Sequence, residues 1–278
     1  VAEHANGLES AEEADRFHRR LVNACVRANF EAGKDADGEA GDKPPANRGG
    51  RASRPSQLRV VIVGGGATGV ELAAELHNTT RVLAAYGLRN IDPDRHVRIS
   101  LVNADARLLA MLPERIARAA ESILLELGVE VMCGEQVVEI TADSVKTQSG
   151  KVLAADLTVW AAGIKASELL RNMDGLEVNR LNQLLVRDTL QTTADTNIFA
   201  IGDCASCPDI RPGKTKPLPA TAQAAHQQGS HLYHGMLRRL EGRELRPFRY
   251  HDFGTLVSLG DYSTGGTLMG FISGKSFR

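Results

Sequence analysis

RVVIVGGGATGVELAAEL, residues 59–76, decides the fold of this chain. It opens with a continuous aliphatic run, which is typical of a strand buried on both faces of a parallel sheet. The run leads into a turn with Gly-x-Gly-x-x-Gly spacing, and a helical pattern follows the turn. This order of strand, turn and helix predicts a βαβ unit that binds a dinucleotide. The alternative is a glycine-rich turn without a ligand.

Each glycine of the turn has an expected task. Gly64 allows the tight turn, Gly66 leaves room for a pyrophosphate, and Gly69 lets the helix pack closely on the strand. The N-terminus of the helix offers N–H groups and the positive end of its dipole to phosphates. We therefore predict that the cofactor-binding turn consists of Gly64, Gly65, Gly66, Thr68 and Gly69.

The second strand of this unit departs from the usual pattern at its end. RISLVN, residues 98–103, ends in Asn103, where Asp or Glu usually binds the adenosine ribose hydroxyls. An asparagine can still bind a ribose, but it does not repel a 2′-phosphate as a carboxylate would. Asn103 is therefore predicted to contact the ribose of NADH, and rejection of NADPH stays open. The alternative is that Asn103 is only a turn residue.

Alternating strands and helices around this unit predict a doubly wound α/β fold. Ser10–Ala32 has helical spacing of apolar residues, whereas residues 33–56 are rich in Gly, Pro and charge and predict a flexible linker. From residue 198 the pattern restarts with a strand over 198–201, a helix over 221–240 and short strands over 253–271. The predicted elements between these regions are helices 69–85 and 113–127 and strands 97–102, 129–132, 137–140, 144–147 and 157–160.

Composition excludes several classes of function. The formal net charge is -1 and aromatic residues make up 4%, so neither charge nor base stacking favours nucleic acid. The sequence contains no apolar run of the length that a membrane-spanning helix requires. Four cysteines are too sparse for a disulfide scaffold and suit a reducing compartment.

A second motif lies in TADTNIFAIGD, residues 193–203. Its strand would deliver Gly202 and Asp203 to the carboxyl end of a sheet, where ligands bind in open α/β folds. Cys204-x-x-Cys207 follows directly and allows a redox pair. A single pair supplies two ligands where zinc usually takes four, so no metal site is predicted. Two packing residues are the alternative to a functional dithiol.

Four segments give the chain a family resemblance. In order and spacing, they are similar to the type II, non-proton-pumping NADH:quinone oxidoreductases. The resemblance implies an α/β flavoprotein of glutathione-reductase-like architecture, in which a Rossmann-like NADH-binding domain is inserted in an incomplete FAD-binding domain. It also implies FAD and NADH as cofactors and a membrane quinone as the acceptor in the respiratory chain. The segments are GGGATGVELAAEL (64–76), ADLTVWAAGIKA (155–166), TTADTNIFAIGDCASC (192–207) and PATAQAAHQQG (219–229).

The resemblance also implies roles for particular residues. Glu71 would lie near the nicotinamide and flavin rings, and Asp203 would bind the ribityl or phosphate region of the flavin. Gln223 and His226 would lie on the quinone side, and because they are three apart on a helix both can face one pocket. A solvated helix residue is the alternative for His226. The implied catalytic residues are Glu71, Gln223 and His226, and the implied cofactor-binding residues beyond the turn are Ala162, Gly163, Gly202, Asp203 and Ala222.

The implied domain layout makes this chain a fragment. Residues 1–32 would be a helical remnant of the FAD-binding domain, 33–56 a linker, 57–163 the NADH-binding domain, and 164–278 the rest of the FAD-binding domain. A first FAD-binding unit would precede the chain, and a segment that attaches it to the cytoplasmic face of the cell membrane as a peripheral protein would follow. The resemblance allows a homodimer. Two alternatives stay open: a related NAD(P)H-flavin reductase that acts on a disulfide or protein acceptor, and a non-catalytic nucleotide-binding fragment.

Overall fold

The computed structural model describes residues 4–38, 57–163, 165–259, 264–268 and 271–274. Most of the predicted linker, residues 39–56, lies outside them, as do residues 260–263 of the tail.

The chain divides into two compact units, and each is described by itself. The first unit comprises Val1–Ala162 together with Phe253–Arg278, and the second comprises Gly163–Asp252. This division differs from the predicted layout because the tail groups with the first unit. The assignment of particular segments to an FAD-binding and an NADH-binding domain stays a prediction.

The first unit contains the predicted βαβ unit. Its strands and helices, in chain order, are α1 (Ala11–Gly38), β1 (Leu58–Val63), α2 (Ala67–Ala85), α3 (Pro93–His96), β2 (Val97–Asn103), α4 (Glu114–Glu126), β3 (Glu130–Cys133), β4 (Val137–Ile140), β5 (Ser144–Thr147), β6 (Val152–Ala154), β7 (Leu157–Trp160), β10 (Gly254–Ser258), β11 (Thr264–Leu268) and β12 (Phe271–Gly274).

The centre of the first unit is a parallel sheet with strand order β3-β2-β1-β7. Val60 of β1 pairs with Ile99 of β2 on one side and with Leu157 of β7 on the other. Because β1 lies between two neighbours and is covered on its faces, its residues from Val60 to Val63 are buried. The parallel sheet with crossover helices confirms the predicted α/β fold class.

Helices pack on the sheet through apolar stripes. α1 contributes Phe17, Leu21 and Cys25 to the core that also holds β1 and α2. Its first turn is capped by Ser10, whose Oγ accepts from the N–H of Glu13 at 3.2 Å. The helix continues to Gly38, past the predicted end at Ala32, so the predicted linker boundary at residue 33 is wrong by several residues.

Antiparallel strands complete the first unit. β4 and β5 lie where the sequence predicts strands and form a small antiparallel sheet with β6, which was not predicted; β7 then pairs in parallel with β1. The tail strands β10, β11 and β12 form an antiparallel meander, in agreement with the short strands predicted there.

The second unit is built around one long helix. Its core includes Leu184, Leu190, Ala224 and Phe248. The predicted strand over 198–201 is wrong: this segment pairs with its neighbour through an isolated bridge between Gln191 and Phe199. The elements of this unit are α5 (Glu168–Arg171), β8 (Leu184–Leu185), a 3₁₀ turn (Gly202–Cys204), β9 (Ala205–Ser206) and α6 (Ala222–Leu240), with β8 and β9 paired in parallel.

Candidate functional site

The glycine turn joins β1 to α2 with very little space. Gly64 has a φ of 119°, a left-handed conformation that favours glycine. A Cβ at Gly64 would lie 2.6 Å from the carbonyl of Ala161, and a Cβ at Gly69 would lie 1.8 Å from the carbonyl oxygen of Gly64. Any side chain at either position would therefore push the strand, the turn and the helix apart.

Gly66 is different because the protein itself does not require a glycine there. Its backbone is extended, with φ of -75° and ψ of -174°, and a Cβ would meet nothing within 4 Å. Gly66 is the N-cap of α2, and it is exposed together with Ala67 and Thr68. The open space therefore lies directly in front of the N-terminus of a 19-residue helix. The N–H groups and positive dipole end of a helix N-terminus attract anions such as a pyrophosphate.

Asn103 fastens the turn to the loop that follows β2. Its side chain is 7% exposed, and its Oδ1 accepts from the N–H of Gly65 at 3.0 Å. Its Nδ2 donates to the carbonyls of Asp105 and Arg107 at 3.2 and 2.9 Å. The amide thus binds protein groups at both ends, which gives Asn103 a structural task beside its predicted contact to ribose.

The loop after β2 is tied in place by further contacts. The N–H of Leu109 donates to the carbonyl of Gly65 at 2.8 Å. The guanidinium of Arg107 donates to the carbonyls of Ala110 and Leu112 at 2.8 and 2.9 Å. Sequence reasoning missed this tethering, because the hydrogen bonds run from side chains to loop carbonyls that carry no sequence signal.

Glu71 lies on α2, one turn beyond the glycine turn. It is half-buried, and its Oε1 accepts from the N–H of Ser258 in β10 at 3.0 Å. The structure thus places this carboxylate between a helix and the tail meander of the same unit. Ala162 and Gly163 follow β7, and Gly163 is exposed with a φ of 78°.

A second candidate site lies in the other unit, at the 3₁₀ turn. Gly202 has a φ of 70°, and the side chain of Asp203 is exposed. The turn packs on the start of α6, where a Cβ at Gly202 would lie 3.5 Å from Cβ of Ala225. An exposed carboxylate on a turn that packs against a helix is a suitable acceptor for ligand hydroxyl groups.

α6 begins where the sequence predicts. Thr221 is its N-cap, and its hydroxyl accepts from the N–H of Ala224. Gln223 is half-buried, and its Oε1 accepts from the hydroxyl of Tyr250 at 2.9 Å. Ala222 and His226 are exposed.

The cysteine pair has the features of packing residues. Cys207 is 1% exposed, and burial raises the pKa of its thiol to about 11. Cys204 donates its thiol proton to the carbonyl of Ile201 at 3.1 Å. Both are free thiols. Because a thiolate rather than a thiol is the nucleophile, this environment does not favour a reactive dithiol.

Within the described residues, His, Cys, Asp and Glu side chains form no group of three or more that could hold a metal ion. Across the same part of the chain, no helix combines the length and apolar character needed to cross a membrane.

A parallel sheet with a glycine turn and an open helix N-terminus defines a dinucleotide-binding α/β protein. The sequence matches the protein family described as pyridine nucleotide-disulphide oxidoreductase over residues 11–229. The match covers more than half of the chain, and the chain belongs to this family.

Curated relatives agree with the predicted resemblance and confirm it. A type II NADH:quinone oxidoreductase of Haemophilus influenzae is 39% identical over 268 residues, which are 96% of this chain and 58% of the relative. One of Staphylococcus aureus is 31% identical over an alignment of 283 positions, which covers 99% of this chain and 63% of the relative. The chain therefore spans about three fifths of the length of these relatives.

Solved structures share the fold at lower identity. The structure of NDH2 from Plasmodium falciparum in complex with NADH has a TM-score of 0.73 to this chain at 17% identity. The similarity covers 96% of this chain and 65% of that chain. At this identity the likeness shows the fold alone.

Proposed function

We propose that this protein takes part in electron transfer from NADH to a membrane quinone, as an FAD-dependent oxidoreductase of the respiratory chain that pumps no protons. The observation that carries the proposal is the open space at Gly66 in front of α2, in a chain whose curated relatives are type II NADH:quinone oxidoreductases. The NADH in the NDH2 structure supports the same reading.

The glycine turn would hold the pyrophosphate of NADH. Gly66 provides the space, and the N–H groups at the start of α2 provide donors and a positive dipole end. Within α2, which is described throughout, the first turn carries no acidic side chain that would repel phosphates. Gly64 and Gly69 keep the turn tight, and Asn103 holds Gly65 in place.

The turn at Asp203 would hold the flavin. Its exposed carboxylate can accept hydrogen bonds from ribityl hydroxyls, and the N-terminus of α6 at Ala222 suits a phosphate. FAD, when bound, supplies the chemistry that accepts a hydride and passes two electrons onward. The protein contributes binding and orientation, and Glu71, Ala162 and Gly163 are proposed to line the NADH side of the reaction.

Gln223 and His226 are the proposed quinone-side residues. Tyr250 donates to the side-chain carbonyl of Gln223, and the amide group of a glutamine carries donors that suit a quinone carbonyl. The exposed imidazole of His226 can relay the protons that quinone reduction consumes. Attachment to the cytoplasmic face of the membrane as a peripheral protein is part of the proposal, and the homodimer stays a prediction.

The change Gln223→Ala tests the quinone-side role. In the FAD-loaded protein, it should weaken the use of a short-chain quinone about tenfold, while NADH oxidation by ferricyanide changes little. The reason is that ferricyanide does not need the Gln223 amide to orient a carbonyl. The matched control is Gln227→Ala on the same helix, because Gln227 bonds the backbone of His251 instead.

Equal losses with quinone and ferricyanide would count against a quinone-side Gln223. A wild-type protein that binds neither NADH nor FAD would contradict the proposed function as a whole.

A further inference from the structure

The backbone around Asp203 is held from both sides by buried glutamines. Gln228 of α6 is 3% exposed, and its Oε1 accepts from the N–H of Gly202 at 2.7 Å. Gln183, just before β8, is 8% exposed, and its Nε2 donates to the carbonyl of Asp203 at 3.0 Å. The two hydrogen bonds thus hold the backbone on both sides of the Asp203 side chain, at the N–H of Gly202 and at the carbonyl of Asp203.

Gln183 is itself oriented by a neighbour. The side-chain amide of Asn179 donates to Oε1 of Gln183 at 2.9 Å, which turns Nε2 of Gln183 toward Asp203. An amide that is fixed at both ends holds the turn more rigidly than a solvated one, because its rotamer is already set.

The backbone and the acidic side chain of this turn differ in how they are held. The main chain of the turn is tied to two separate elements, whereas the Asp203 side chain is exposed. Gly202 adopts its positive φ without strain, but the conformational freedom of a glycine means that contacts from neighbouring residues are what fix the turn in one shape. Protein stability alone does not require the turn to present a carboxylate to solvent.

We infer that Gln183 and Gln228 are positioning residues that preset the Asp203 turn for a ligand with several hydroxyl groups, the ribityl chain of the flavin. The inference rests on the proposed function, since the ligand at Asp203 is the proposed FAD. The preset turn lowers the entropy that flavin binding must overcome. Neither glutamine touches the ligand; both act through the backbone of residues 202 and 203.

Nearly isosteric methionine variants test this role. Gln228→Met and Gln183→Met each remove one bond to the turn and keep the side-chain length. We expect each variant to bind FAD roughly tenfold more weakly in a fluorescence titration, which corresponds to the loss of one buried hydrogen bond. The absorbance maxima of bound flavin should also shift, because the carboxylate moves relative to the flavin.

Gln227→Met is the matched control. Gln227 also clamps a backbone, through bonds to the N–H and carbonyl of His251, but it does not touch the turn. This variant should lose stability comparably and keep the FAD affinity of the wild type. A fall in FAD affinity that simply follows stability in all three variants would overturn the inference.

Hydrogen exchange gives a readout that needs no flavin. The amide of Gly202 should exchange at least tenfold faster in Gln228→Met than in Gln227→Met, because its acceptor is gone. Unchanged exchange, or unchanged FAD affinity in a protein whose wild type binds FAD, would overturn the inference and leave the proposed function standing. Failure of the wild type to bind FAD would instead contradict the proposed function. The inference that the glutamines preset the turn for a flavin would then be wrong as well.

Discussion

Asn103 shows how one side chain can tie a glycine turn to the loop beside it. Its amide joins Gly65 to the loop carbonyls of Asp105 and Arg107. A short amide suits this task because it has both an acceptor and donors, whereas a carboxylate has acceptors alone. The predicted contact to ribose stays a prediction, and the structural task is a separate reason for an asparagine at this strand end.

The change Asn103→Ala separates the two roles. Removal of the amide leaves buried groups of the turn and the loop without partners, so the free energy of unfolding should fall by roughly 1–3 kcal/mol. NADH and NADPH affinities should fall by the same factor, because the turn serves the pyrophosphate that both share. Thermal unfolding and titration with both nucleotides measure these effects.

Unchanged stability of the variant would contradict the tethering role of Asn103. A clear shift in the ratio of NADH to NADPH affinity would contradict the expectation of equal losses and would mean that the side chain also contacts the ribose at the 2′ position.

At the scale of the element, sequence pattern was informative where contacts are local. Strands β4, β5 and β7 have the predicted bounds, because each stands between clear turn residues. The prediction of a strand over 198–201 was wrong because this segment pairs with an irregular segment through an isolated bridge and not with a strand of a sheet. The parallel pair β8 and β9 joins residues about twenty positions apart, and no local period indicates such a pairing.

The candidate sites show the same difference between local patterns, which the sequence reveals, and long-range contacts, which it does not. The glycine turn was predictable because spacing, strand and helix lie in one continuous stretch. The contacts of Gln183 and Gln228 to the Asp203 turn were not, because a polar residue in a helix or loop does not reveal a distant backbone partner. Positive φ at Gly64 and Gly202 is consistent with the glycines that the motifs require.

The segment between β3 and β4 carries a titratable contact that stabilises this edge of the first unit. Glu135 accepts from Ser149 Oγ at 2.7 Å and pairs with Lys151 at 2.7 Å. The hydrogen bond from Lys151, followed by those from Ser149 and Thr147, lowers the pKa of the carboxyl to about 2. Between its unfolded pKa, about 4.3, and about pH 2, the unfolded chain binds the proton and the folded chain does not.

Stability from this contact is therefore present above the unfolded pKa and lost as pH falls toward 2. The change Glu135→Gln should lower the slope of the free energy of unfolding against pH in this window by the contribution of one proton. Denaturant unfolding at several pH values measures this slope. Glu139→Gln is the control, since the Glu139 side chain is 58% exposed and its contact to Lys146 is long, at 4.0 Å. Identical pH profiles for wild type and Glu135→Gln would contradict this assignment.

At the scale of the whole molecule, the chain combines a unit that carries the glycine turn proposed for NADH with a second unit that presents an exposed carboxylate on a turn held by two glutamines. The family match spans residues 11–229 and so includes residues of both units. The proposed oxidoreductase activity requires both cofactors, whereas binding at one site alone would equally fit a simple nucleotide-binding protein. The proposed NADH site can be tested more directly than the proposed FAD site, because a single glycine, Gly66, leaves the open space in front of α2.

The NADH affinity of the Gly66→Ala variant is the sharpest test of whether the glycine turn binds the pyrophosphate of NADH. A methyl group at Gly66 meets no protein atom within 4 Å, so the variant should fold, with a stability loss of about 1 kcal/mol or less from the poorer N-cap. Gly229→Ala in α6 is the control for an added methyl group, since its Cβ would make an ordinary 3.9 Å contact with Ile201. The folded Gly66→Ala variant should bind NADH roughly a hundredfold more weakly than Gly229→Ala, because the methyl group separates the pyrophosphate from its backbone donors. Equal NADH affinity in the two variants would contradict this role of the glycine turn.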